Sequence, residues 1–124
     1  MKYTEDHEWI RLAKDGDSDI ATIGISAHAA EQLGDVVFVE LPDIDAEFDK
    51  GDDVAVVESV KAASEIYAPI SGTITAVNGT LEDAPETVNA APEAGGWFFK
   101  MKITDASELD GMMDADAYKK FLED

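Results

Sequence analysis

The sequence contains no cysteine, and this absence removes several kinds of site at once. A chain without cysteine forms no disulfide, no thiolate zinc site and no cysteine nucleophile. Only two histidines are present, His7 and His28, and a single histidine in a small fold is more often structural than catalytic. No serine or carboxylate lies in a recognisable nucleophilic motif, and there is no glycine-rich phosphate loop. We therefore expect a protein that is not itself an enzyme.

Long hydrophobic runs and basic residues are also scarce. No segment approaches the roughly 20 apolar residues of a membrane span, and residues 1–7 (MKYTEDH) lack the apolar stretch of a signal peptide. The chain has 9 Lys and Arg against 28 Asp and Glu, a net charge of −19. Nucleic acids and anionic membranes are therefore poor partners, because both bind positive patches. The expected location is the bacterial cytosol, or the mitochondrial matrix if the source is eukaryotic and a leader has been removed.

The acidity itself has three explanations. It could steer a carrier among several enzymes, reflect adaptation to salt, or be an ordinary solvated surface. The acids are spread over the whole chain, which favours the second and third explanations over a dedicated docking patch. Asp15, Asp17 and Asp19 resemble the start of a calcium loop, but Ile20 stands where that loop needs glycine and Ser26 where it needs glutamate. This stretch is therefore interpreted as a hairpin loop.

The length of 124 residues predicts one domain, 1–124. Short β-rich runs separated by turn residues predict a mainly β fold with small flanking helices. Residues 36–41 (VVFVEL) are apolar on both faces, so this strand is expected to be central. In residues 97–103 (WFFKMKI), alternation places Trp97, Phe99, Met101 and Ile103 on one face and the two lysines on the other.

Helices are predicted at four places. Ser26 has the chemistry of an N-cap for a helix over residues 27–33, and Gly34 is well placed to end it. A second helix is predicted over residues 81–88, with Pro85 in its first turn. Asp105 and Glu108 resemble a capping box, and Asp114 is expected to cap a last helix. The face of that helix that is expected to pack on the β core carries Tyr118, Phe121 and Leu122.

The segment around Lys61 organises the chain. Apolar residues 54–57 (VAVV) lead into the polar stretch 58–65 (ESVKAASE), and residues 66–69 (IYAP) lead away from it. Apolar runs on both sides of a short polar stretch predict a β-hairpin, with Lys61 within a residue or two of its tip. On geometry alone, Lys61 could be an ordinary solvated lysine. A hairpin tip is also a good place to present one amine to another enzyme.

The amino-acid sequence of this segment resembles the lipoylation site of the glycine cleavage system H protein family. The sequence ESVKA at residues 58–62, followed by YAPISG at 67–72, fits that family better than the Met-Lys-Met core of biotin carriers or the Asp-Lys-Ala core of 2-oxo acid dehydrogenase lipoyl domains. Further matching blocks are residues 7–9 (HEW), 24–42, 89–92 and 96–97, and the helix ending at Tyr118 and Phe121. The resemblance implies a lipoyl/biotinyl-type sandwich of two small antiparallel sheets, the barrel-sandwich hybrid.

The resemblance also implies a function. Lipoate would be attached to Lys61 by a lipoate-attaching enzyme. The arm would carry the aminomethyl group of glycine from the pyridoxal-phosphate-dependent glycine decarboxylase to the folate-dependent aminomethyltransferase. Dihydrolipoamide dehydrogenase would reoxidise it. The alternative is a lipoyl carrier or lipoate-relay protein for another complex, which would use the same lysine.

In this family the loaded arm folds back into a surface cleft. Glu8 and the helix after Ser26 are the candidates for that cleft, although Glu8 could equally be a solvated surface acid. Two departures from the family pattern are small. Glu65 stands where the family commonly has aspartate, and Glu93 stands where it often has tyrosine. The second departure leaves the shape of that loop open.

Overall fold

The computed structural model describes residues 1–123 and contains two antiparallel β-sheets. The larger sheet has the strand order β1-β2-β3-β9-β8-β5, and the smaller has the order β4-β6-β7. The strands are β1 (Lys2–Tyr3), β2 (Glu8–Asp15), β3 (Ser18–Ile25), β4 (Val36–Glu40), β5 (Glu47–Phe48), β6 (Asp53–Ser59), β7 (Ala63–Tyr67), β8 (Gly72–Val77) and β9 (Phe99–Ile103). The helices are α1 (Ala27–Leu33), α2 (Thr80–Asp83), α3 (Thr87–Ala90) and α4 (Ala115–Glu123), with a 3₁₀ turn at Ala106–Leu109. The prediction of a mainly β sandwich with short helices is confirmed.

The two sheets share one apolar core. Its fully buried members come from both sheets and from the short helices, and include Ile23, Ile74, Phe99, Val57 and Leu81. A second, smaller cluster lies at one side, where Tyr3, Trp9 and Tyr118 pack together with Trp97 and Met113. A Cβ at Gly24 would lie 2.7 Å from the Trp9 ring, so only glycine allows β3 to pass this closely under the tryptophan.

The expectation that strand 36–41 is central is wrong, because β4 is an edge strand of the smaller sheet. Its pairing with β6 is interrupted by a one-residue bulge between Val36 and Phe38. Val36 and Val39 are buried, whereas Val37 and Phe38 are 55% and 47% exposed. A bulge places two consecutive side chains outside the regular alternation, so an apolar run here does not mean burial on both faces.

Two other local predictions need correction. Strand β9 begins at Phe99, and Trp97 belongs to the smaller cluster, with the Lys100 Nζ 5.0 Å from its ring centroid. Phe99, Met101 and Ile103 do point into the core. The predicted helix over residues 81–88 is instead two short helices on either side of Pro85. Ala84, which precedes the proline, has a non-helical backbone (φ −134°, ψ 72°), because the ring of a following proline disfavours the helical conformation.

The carboxyl-terminal caps are confirmed in part. The Asp114 carboxylate accepts a hydrogen bond from the Ala117 N–H at 2.8 Å and begins α4. The Asp105 side chain likewise accepts from the Ser107 N–H at 3.0 Å. Glu108 does not complete a capping box, because its carboxylate binds the Ser71 N–H and hydroxyl instead. On α4, Tyr118 is buried, while Phe121 and Leu122 remain 40% and 36% exposed.

Candidate functional site: an exposed lysine beside a cleft

The hairpin of β6 and β7 places Lys61 at its tip, as predicted. The last strand pair is Glu58 with Ala63, and residues 60–62 form the turn. The Ser59 N–H donates to the Ala62 carbonyl at 2.8 Å, and the Ser59 hydroxyl oxygen accepts the N–H groups of Lys61 and Ala62 at 3.1 Å each. The serine therefore fixes the turn from within, while the Lys61 side chain stays exposed.

The segment before β4 supports this tip from the side. The Val60 N–H donates to the Asp35 carbonyl at 3.1 Å. The Asn89 amide holds both neighbours of Asp35, since its Nδ2 donates to the Gly34 carbonyl at 2.7 Å and its Oδ1 accepts the Val36 N–H at 2.9 Å. Sequence reasoning missed Ser59 and Asn89. A serine two residues before the lysine was a readable turn signal, but Asn89 lies more than fifty residues away from the segment it holds.

Gly34 gives the lysine stem room. Its φ of 77° lies in the left-handed region that favours glycine. A Cβ at this position would lie 3.3 Å from the Lys61 Cε. The aliphatic stem of Lys61 therefore runs over the end of α1, where a side chain would crowd it.

A cleft of about 570 Å³ lies between α1 and the β6–β7 hairpin. Leu33 and Ala62, the neighbours of Gly34 and Lys61, both line it, so the lysine stands at one end of this α1 cleft. Its walls combine apolar side chains with a few polar ones, among them Ile25, Ala29, Ile66, His7, His28 and Glu65. This mixture is typical of sites that hold a small organic group. Helix α1, which is the candidate named from the sequence, forms one wall of this cleft.

One wall of the α1 cleft is tied to the carboxyl-terminal helix. The Tyr118 hydroxyl lies 2.7 Å from the His7 Nδ1 and 2.7 Å from the Ser26 Oγ, and its ring stacks on Tyr3 at 4.4 Å between centroids. His7 itself has a left-handed backbone (φ 68°). Burial, and then the nearby His28, lower the pKa of His7. Tyr118 therefore holds His7 and the start of α1 in one arrangement.

Glu8 is not a solvated surface acid, because it is only 2% exposed. Its Oε2 accepts the Tyr67 N–H at 2.9 Å and its Oε1 accepts the Thr4 hydroxyl at 3.3 Å. Burial raises the pKa of Glu8 to about 8, against the opposing effect of the Tyr67 hydrogen bond. Glu8 lines a second cavity of about 520 Å³, with Tyr3, Thr4, Tyr67 and Met113. Asp6 and Tyr67 line both this cavity and the α1 cleft, so the two adjoin.

Residues 1–123 lack two kinds of structural feature. No helix in this range is long and apolar enough to cross a membrane. No group of three or more metal-ligating side chains in the same range is arranged to hold a metal ion.

Comparison with known proteins decides the family. The family model described as glycine cleavage H-protein matches residues 1–124. The chain belongs to the glycine cleavage H-protein family. It is 59% identical to the glycine cleavage system H protein of Phenylobacterium zucineum over 122 residues, covering 98% of both chains. It is 57% identical to that of Citrobacter koseri, covering 100% of this chain and 94% of the relative.

A solved H-protein structure agrees with the fold. The crystal structure of a glycine cleavage system H protein from Mycobacterium marinum superposes with a TM-score of 0.87 at 34% identity, covering 98% of this chain and 95% of that one. The resemblance read from the sequence is confirmed at the level of the family and of the sandwich fold.

The departure from the H-protein pattern at Glu93 has a structural explanation. Its Oε1 accepts the Tyr3 hydroxyl at 2.6 Å, and its Oε2 accepts the Ala27 N–H at 2.8 Å. Its main-chain carbonyl accepts from Arg11 at 3.0 Å. Burial, followed by the Glu93 hydrogen bond, raises the pKa of Tyr3 to about 12. Glu93 thus ties its loop to β1 and to the start of α1.

Proposed function

We propose that this chain is a non-enzymatic lipoyl carrier of the glycine cleavage system, with lipoate joined to the Lys61 amine. The observation that carries the proposal is the placement of Lys61. It is exposed on a turn fixed by Ser59 and Asp35, at one end of a cleft. Lys61 would hold the lipoyl group, whose disulfide would supply an acceptor for the aminomethyl group of glycine between the decarboxylase and the aminomethyltransferase, with dihydrolipoamide dehydrogenase as the reoxidising enzyme.

The residues around Lys61 fit such an arm. An amide formed at Nζ removes the lysine charge and leaves a long, mostly apolar chain, for which Ile25, Ala29, Leu33 and Ile66 offer an apolar wall. The cleft volume of about 570 Å³ lies within the usual range of small-molecule sites, roughly 300–1,000 Å³. His7 and Glu65 add polar groups to the same cleft. These side chains would shield a bound arm from water while the carrier moves between enzymes.

Glu8 remains a candidate for positioning in this system. It closes the second cavity beside the cleft and fixes the backbone of Tyr67, which belongs to both. Through Tyr67 it shapes the far wall of the α1 cleft. The partners we propose are those of the glycine cleavage system together with a lipoate-attaching enzyme. The named relatives are bacterial, which supports a bacterial cytosolic setting for the single carrier domain.

The attachment is tested by mass spectrometry. The full chain is incubated with a lipoate-protein ligase, lipoate and ATP, and the modified peptide is mapped. We expect one lipoyl group on Lys61 and none on Lys61→Arg, which keeps the charge but lacks the amine nucleophile. Lys61→Arg should melt like the unmodified chain, because an exposed side chain contributes little packing. Lipoate on Lys50 or Lys100 of the unmutated chain would contradict the proposal.

A further inference from the structure

Three large apolar side chains are exposed around the hairpin tip. Val60 is 68% exposed, Val37 55% and Phe38 47%. We call Val37, Phe38 and Val60 the tip patch. Ile44, at 56%, and Leu12, at 44%, are comparably exposed, but they lie in other parts of the chain: Ile44 follows β4, and Leu12 belongs to β2.

The tip patch is produced by the bulge in β4. In a strand with regular alternation, Phe38 would share the buried face of Val36. The pairing slips between these two residues, and Phe38 faces solvent beside Val37. Bulges are over-represented next to functional sites, where they change the direction of a side chain. The result here is an exposed phenylalanine on the strand that pairs with the residues leading to Lys61.

The backbone places the tip patch directly beside Lys61. Val36 pairs with Ser59 and Phe38 with Glu58, at the end of β6 that leads into the turn. The Val60 N–H is bonded to the Asp35 carbonyl, two residues before Val37. The Asn89 amide fixes the same segment at Gly34 and Val36. The patch and the lysine are thus presented on one rigid frame.

We propose that the tip patch is the docking surface for the lipoate-attaching enzyme. This inference rests on the proposed lipoylation of Lys61. Before modification, the amine stands at the end of a single side chain and must enter the active site of that enzyme. Surfaces next to the tip are then brought against the enzyme. A lipoyl arm would place its reactive disulfide well beyond the turn, so an enzyme that acts on that disulfide can bind without contacting the tip patch.

The side chains of the tip patch and its rim indicate what kind of surface the partner should offer. Hot spots of protein interfaces centre on a few large side chains that bury into a pocket of the partner, and Phe38 is the largest side chain of the patch. Asp35 and Glu40 are exposed at the rim, and Glu58 lies across from Phe38. The partner should therefore offer an apolar hollow for Phe38, flanked by lysine or arginine. The net charge of −19 would speed the encounter with such a basic rim at low salt.

The test measures lipoylation kinetics of full-length variants that lack the lipoyl group. A lipoate-protein ligase forms lipoyl-adenylate from lipoate and ATP, because the lipoate carboxylate attacks the α-phosphate and pyrophosphate leaves. The Lys61 amine then displaces AMP, loses a proton and forms the amide, which intact mass detects. Phe38→Ser and Val60→Ser are compared with the matched controls Ile44→Ser and Leu12→Ser. Melting temperatures and direct binding to the ligase are measured for each chain.

We expect Phe38→Ser to raise KM for the carrier by about tenfold or more, as loss of a hot-spot anchor does, with kcat within twofold. Val60→Ser should raise KM in the same direction, while both controls stay within twofold. Binding to the ligase should weaken in parallel, with melting temperatures unchanged. An unchanged KM for folded Phe38→Ser, with Lys61 lipoylated normally, would overturn the docking proposal alone. If Phe38→Ser is lipoylated normally but glycine decarboxylase shows a raised KM for the lipoylated variant, the docking proposal is also overturned. Failure of the unmutated chain to be lipoylated on Lys61 would instead contradict the proposed function.

Discussion

Replacing Glu8 by glutamine should remove a large part of the pH dependence of stability. Glu8 is buried, and its carboxyl group has a pKa near 8 in the folded chain against 4.5 for the free side chain. Glutamine keeps the shape and an oxygen that can accept the Tyr67 N–H. Its amide group can donate to the Thr4 hydroxyl oxygen, which the glutamate now accepts from.

The direction in which stability changes with pH follows from proton binding. Between pH 4.5 and 8, Glu8 holds its proton in the folded chain and has released it in the unfolded chain. The unfolded state then binds fewer protons, so the free energy of unfolding falls as pH rises through this window. At about 1.4 kcal/mol per pKa unit, the interval from 4.5 to about 8 sets a loss of at most about 5 kcal/mol. The stabilising contribution is complete below pH 4.5 and lost above pH 8.

The assay is urea unfolding of the unmutated chain, Glu8→Gln and Glu31→Gln at pH 5, 6, 7, 8 and 9. The carboxyl groups other than Glu8 and Glu31 are common to all three chains and cancel in the differences. Glu8→Gln should gain stability relative to the unmutated chain as pH rises, by several kcal/mol between pH 5 and 9. The exposed Glu31→Gln control should show a constant difference. Parallel curves for Glu8→Gln would show that Glu8 is already ionised in the folded chain at pH 5, and our reasoning on its burial would be refuted.

Two further predictions concern residues beside the site, and a third concerns the charge of the whole chain. Tyr118→Phe keeps the ring stack on Tyr3 but leaves His7 Nδ1 and the buried Ser26 Oγ without their common partner, so unfolding should become about 1–3 kcal/mol easier; an unchanged urea midpoint would contradict this. Gly34→Ala, at φ 77°, should lower the free energy of unfolding by about 1 kcal/mol or more; equal stability would show that this position accepts a side chain without strain. With a net charge of −19, the melting temperature should rise between about 0.01 M and 0.15 M salt, as the Debye length falls from about 30 Å to 8 Å; a flat curve would show that the acids are too well spaced to matter.

The hairpin could be predicted from the sequence because its signals are local. Apolar runs on both sides of a polar stretch are enough to place Lys61 at a tip. The caps at Ser26 and Asp114 are also local, since each side chain binds an N–H three residues ahead. The family resemblance added the sandwich architecture, which periodicity alone does not specify.

The remaining features depend on contacts between distant parts of the chain. The burial of Glu8 depends on Tyr67, 59 residues away, so the residue type and its neighbours in sequence predicted exposure as readily as burial. The edge position of β4 depends on which strands pair, and its bulge leaves no mark in the sequence, because residues 36–39 are all apolar. Glu108 has the spacing of a capping box, yet Ser71, in the loop before β8, offers its carboxylate two donors.

The carrier role in glycine cleavage is tested most directly by exchange of labelled carbon dioxide into glycine. The lipoylated chain is mixed with a glycine decarboxylase, and its Lys61→Ala variant serves as the control. Our account predicts exchange with the lipoylated chain and none with the variant. If the chain is lipoylated on Lys61 and reduced by dihydrolipoamide dehydrogenase, yet supports no exchange with any glycine decarboxylase tried, the glycine-specific role is contradicted and a carrier role in another complex takes its place.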